Sequence, residues 1–107
     1  MQVEPESPHV ELAVEVFSML ADATRVRLIL ALGQGEVPVN ALAGKVGKST
    51  AAVSQHLAKM RLAGMVSTRQ EGTKVHYRLQ NDHAHQLVLD ALHQAEHTLG
   101  TATGHGA

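Results

Sequence analysis

Two short helical patterns lie back to back between Asn40 and Gly64, with only Gly47, Lys48 and Ser49 between them. Helices joined that tightly form a helix-turn-helix. In the first pattern, Ala41 to Val46, Asn40 is placed to cap the amino end, and Gly47 can take the left-handed conformation that ends it. In the second, Ser49 is the cap and Val53, Leu57 and Met60 fall on one inward stripe. Thr50, Ser54, Gln55 and Lys59 are left mostly outward. Met65–Gln70 and Lys74–Gln80 follow as two runs rich in Val, Thr and Tyr, joined by Glu71, Gly72 and Thr73, which reads as a β-hairpin.

The flanks are helical. From His9 to Leu20, Leu12, Val16 and Met19 recur at spacings of three and four, with Ala13, Phe17 and Leu20 beside them. Asp22 or Thr24 can cap a second helix through Leu32, ended by Gly33 and Gly35. Asp82 opens a last helix of about 16 residues, with Leu87, Val88, Ala91 and Leu92 as its apolar content, and Gly100 begins a polar tail. The expected domains are a flexible arm over 1–8, one folded unit over 9–98 and a His-containing tail over 99–107. The expected fold is mainly α with a small hairpin: four helices, two strands and a helix, a winged helix-turn-helix.

A chain of 107 residues with only 2% aromatic content has little core to bury, so a homodimer interface is the natural way to add more. With no cysteine, disulfides and thiolate metal sites are excluded. No run approaches the roughly 20 apolar residues of a membrane span, and the amino end is acidic, so the expected location is the cytoplasm with no membrane partner. The net charge of −1 conceals a segregation. All nine Lys and Arg lie between Arg25 and Arg78, opposed there only by Glu36 and Glu71, a local net of +7 between acidic ends. Such a segment either meets a polyanion or forms an ordinary solvated face.

A helix-turn-helix followed by a hairpin places its second helix in the DNA major groove and its hairpin on the neighbouring backbone. The candidate contacts are Lys48, Ser49, Thr50, Ser54, Gln55, His56, Lys59, Arg69 and Lys74. Ser49 and Thr50 could instead only cap the helix, and His56 taken alone fits a packing role better than a DNA contact. No nucleophile and base are placed together by any motif, so the chain is not read as an enzyme.

The stretches VFSMLADATRVRLILAL and VNALAGKVGKSTAAVSQHLAKMRLAGMVSTRQEGTKVHYRL resemble the ArsR/SmtB family of winged-helix metal-sensing repressors, over about residues 10–98. The resemblance implies a symmetric dimer through the first and last helices, bound to a pseudo-palindromic operator in double-stranded DNA. Family members that sense arsenic or lead carry a Cys pair where this chain has Val37, Pro38, Val39 and Asn40, so that site is absent.

Five of the eight histidines, His83, His85, His93, His97 and His105, fall in the last 25 residues. They offer nitrogen donors suited to nickel, cobalt or zinc. The family's usual zinc pattern lacks two of four ligands here, because Asn81 and Gln94 stand where an Asp and a His belong. The segment RLQNDHAHQLVLDALHQAEH is instead similar to the actinobacterial nickel/cobalt sensors of the family, whose ligand positions match His83, Glu96, His97 and His105. The resemblance thus implies Ni(II) or Co(II) as effector, with Zn(II) the other candidate metal. His83 and His97 would lie about 21 Å apart on one helix, so an antiparallel pair of last helices is needed to bring them together. The alternatives are a winged-helix regulator that senses no metal and a histidine-rich metal buffer.

Overall fold

Asp22, in extended backbone, accepts the Arg25 N–H on its carboxylate at 3.0 Å and so starts the helix that becomes the centre of the core. The computed structural model describes residues 4–102. Its elements run α1 (Val10–Leu20), α2 (Ala23–Leu32), β1 (Val37–Pro38), α3 (Val39–Val46), α4 (Thr50–Leu62), β2 (Val66–Glu71), β3 (Lys74–Leu79) and α5 (His83–Ala102).

Leu28 and Ile29 from α2, Leu42 from α3, and Val53, Leu57 and Met60 from α4 are the fully buried centre. The α4 stripe is therefore the inward face expected from its spacing. Val66, Ala84 and Val88 extend the same cluster to the hairpin and α5. Gly47 ends α3 at φ 68°, where a glycine avoids the Cβ clash of left-handed backbone, and the Ser49 hydroxyl accepts the Ala52 N–H at 3.1 Å to start α4. These two residues set the tight turn.

Three details differ from the sequence reading. Helix α3 begins at Val39 with Pro38 before it, and Asn40 uses its side-chain oxygen on the adjacent Ala41 N–H. Proline suits a helix start because its missing N–H would have had no helical partner. The hairpin turn is only Gly72 and Thr73, because Glu71 still pairs with Lys74 in the ladder. Helix α5 continues past Gly100 to Ala102.

The sheet has a third strand. β1 pairs antiparallel with β3, giving the order β1-β3-β2 with β3 in the middle. Ser67–Arg78, Arg69–His76 and Glu71–Lys74 are paired on one face, while Val66–Leu79 and Thr68–Tyr77 alternate to the other. Val66 is buried and Tyr77 and Leu79 pack on the core, so the polar set faces out.

Helix α1 buries none of its eleven residues, and Phe17 is 58% exposed. The radius of gyration is 16.0 Å, against about 13 Å for a compact chain of this length. The excess reflects helices and a hairpin that project from a small core.

Candidate nucleic-acid interface and metal centre

Thr50, Gln55 and Lys59 lie exposed on α4, on the side away from the Val53–Leu57–Met60 stripe, and Ser54 is half-buried beside them. Lys48 is exposed in the turn that precedes the helix. Ser49 spends its hydroxyl on the cap. His56 turns inward: its Nδ1 accepts the Arg25 Nε–H at 3.1 Å, and the same guanidinium donates to the Met19 carbonyl at 3.3 Å. Arg25 thus ties α4 to the end of α1, a role that no local pattern in the sequence signals.

The hairpin separates its cations into two states. Arg69 is held by both carboxylates of the basic segment, with Nη2 at 2.6 Å from Glu36 and Nη1 at 2.7 Å from Glu71. Its hydrogen bonds hold the Glu36 and Glu71 carboxyls below the usual glutamate range, and in return raise the guanidinium's own pKa. Lys74 stands opposite Glu71 in the ladder, yet Glu71 turns its carboxylate to Arg69. Among the described residues no ion pair holds Lys74, whose exposed ammonium is thus available to a phosphate.

On α5, His83 starts the helix, its backbone N–H donating to the Asn81 side chain at 3.0 Å, and its imidazole is 83% exposed. Glu96 and His97 are exposed near the other end. His105 lies outside the described residues. Among the described residues, no group of three His, Asp or Glu side chains is assembled to hold a metal within one chain. The donors, oxygen and nitrogen only, are of a chemistry that suits nickel, cobalt or zinc. His85 is half-buried, and its ring covers Gly33, where an added Cβ would overlap the imidazole.

Beside these donors runs an apolar groove lined by Phe17, Leu20, Val26, Leu87, Ala91 and Leu92, between α1, α2 and α5. Leu12 and Leu99 add exposed apolar area on the same two terminal helices. Helix α4 and the hairpin carry five of the nine Lys and Arg: Lys59, Arg61, Arg69, Lys74 and Arg78.

This arrangement defines a winged helix-turn-helix regulatory protein. The model of the bacterial regulatory protein arsR family matches residues 22–68. The HTH-type transcriptional regulator KmtR of Mycobacterium tuberculosis is 57% identical over 80% of this chain and 66% of its own length. A homolog of the cadmium resistance transcriptional regulatory protein CadC from Staphylococcus aureus is 40% identical over 77% of this chain and 69% of its own. A homodimeric winged helix-turn-helix DNA-binding domain from Mycobacterium bovis, a possible ArsR-family regulator, superposes with a TM-score of 0.74 at 25% identity. That match covers 92% of this chain and 95% of the other. The chain belongs to the bacterial arsR family of transcriptional regulators, a family of DNA-binding proteins and not of enzymes.

Proposed function

We propose that the chain is a homodimeric repressor that binds operator DNA through α4 and the hairpin and releases it when Ni(II) or Co(II) binds between the two α5 helices. One observation carries the reading: α5 presents exposed metal donors at both ends, His83 at one and Glu96 and His97 at the other, beside apolar surface that one chain leaves uncovered. Two antiparallel copies of α5 would bring His83 of each chain toward Glu96 and His97 of its mate, giving two equivalent sites. His105, beyond the helix, would supply a further donor.

In this reading Gln55, Thr50 and Ser54 face base edges, and Lys48, Lys59 and Lys74 neutralise phosphates. The metal supplies a cationic cross-link between subunits. The protein's part is to set the spacing of two α4 helices, which must meet successive major grooves about 34 Å apart. A bound metal that favours another quaternary arrangement lowers DNA affinity, and linkage makes the coupling reciprocal, typically about 1–3 kcal/mol. Anisotropy of a labelled duplex, selected from a random pool by the metal-free protein, tests this. Nickel added at micromolar concentration should release it, and retention of DNA at saturating nickel and cobalt would leave a regulator that senses no metal.

A further inference from the structure

Residues 25–78 contain nine cations and only two carboxylates, and both carboxylates grip the same cation. Glu36 takes Arg69 in a fork, with Nε at 3.0 and 3.3 Å from its two oxygens and Nη2 at 2.6 Å, and Glu71 takes Nη1. Arg69 lies on β2, His76 stands opposite it on β3, and Pro38 stands opposite His76 on β1. Glu36 immediately precedes β1. The Arg69 side chain therefore crosses the outer face of all three strands, over His76, whose Nδ1 is 3.8 Å from Glu36. β1 leads without a break into α3, and α3 into the turn before α4. The contact fastens the hairpin to the strand from which the helix-turn-helix begins. β1 itself is only two residues long and gives the hairpin little other hold.

We propose that Glu36 and Arg69 are positioning residues for DNA binding: the pair fixes the angle of the hairpin against α4, and Arg69 touches no phosphate. A guanidinium already paired with two carboxylates has no net charge left to offer DNA, and the fork geometry is specific to Arg with a carboxylate. The hairpin's electrostatic contact with DNA then falls to Lys74 and to Arg78, whose Nε–H donates to the Ser67 hydroxyl and which no carboxylate grips among the described residues. An acid on a basic DNA-facing segment ordinarily repels DNA, so its removal ordinarily raises affinity. Here the removal lowers it.

The test is anisotropy of the selected duplex with metal-free dimer across a salt series, for Glu36→Gln, Arg69→Gln and the double variant. Glu36→Gln should weaken binding about three- to fivefold, as expected for an exposed pair, although it removes a negative charge. Arg69→Gln should lose as much with an unchanged slope of log K against log salt, and the double variant should lose no more than either single. A gain or no change in affinity for Glu36→Gln, or a slope lowered by about one per subunit for Arg69→Gln, would overturn the proposal.

Discussion

The Arg25 Nε–H donates to His56 Nδ1 at 3.1 Å, and this bond ties α4, which carries the candidate DNA contacts, to α2. The same guanidinium reaches the Met19 carbonyl at 3.3 Å and sulfur at 3.2 Å. His56 therefore accepts at Nδ1 and is set inward beside Gln55, which faces out. Arg25→Ala should cost about 1–2 kcal/mol, since it removes more than one part-buried hydrogen bond, while His56→Gln, which keeps an acceptor, should cost less. Urea unfolding of both variants checks the order.

Lys74, which no carboxylate pairs with among the described residues, should behave differently from Arg69. Lys74→Gln should weaken binding to all duplexes and flatten the salt dependence by about one unit per subunit. Gln55→Ala should instead change the ratio of affinities between the selected duplex and its single-base variants, because base-edge contacts specify and phosphate contacts do not. Competition anisotropy with a small duplex panel separates the two outcomes.

The charge pattern and the helix-turn-helix were legible in the sequence because they rest on local chemistry. Gly47, Ser49 and the Val53–Leu57–Met60 spacing are each readable within a few residues, and each takes the place expected of it. Strand β1 was not legible: two residues, one of them Pro38, carry no periodicity, and the strand exists only through pairing with β3 far along the chain. For the same reason Arg69 read as one more cation, its partner Glu36 being 33 residues away. The packing of the His85 ring over Gly33, 52 residues earlier, likewise has no local signature. The Arg25–His56 bond, 31 residues in span, left no pattern at all.

Acid should loosen the fold through three carboxylates. The Arg25 N–H holds Asp22 below its usual value of 3.8, and Arg69 holds Glu36 and Glu71 below theirs of 4.5. A carboxyl depressed in the folded state contributes stability that is complete above its unfolded value and is lost as pH falls through its folded one. The urea midpoint should therefore hold above about pH 5 and decline below it. Asp22→Asn with Glu36→Gln should flatten that decline relative to the parent.

The apolar groove between α1 and α5 predicts the assembly. Glu at Leu12 or at Leu92 should produce monomers in sedimentation velocity, because a charge in a desolvated interface has no partner there. Such monomers should also lose affinity for the selected duplex, since each reads only one half-site. Unchanged dimers for both variants would place the interface elsewhere.

The central claim is that α5 carries the signal to DNA. Nickel titration of the protein–duplex complex, followed by anisotropy, should release DNA from the parent and not from the His83→Ala/His97→Ala variant, whose metal-free affinity should equal the parent's. His105→Ala should weaken the response less, since water can replace one of several donors. Release of DNA from the double variant at the parent's nickel concentration would contradict the account.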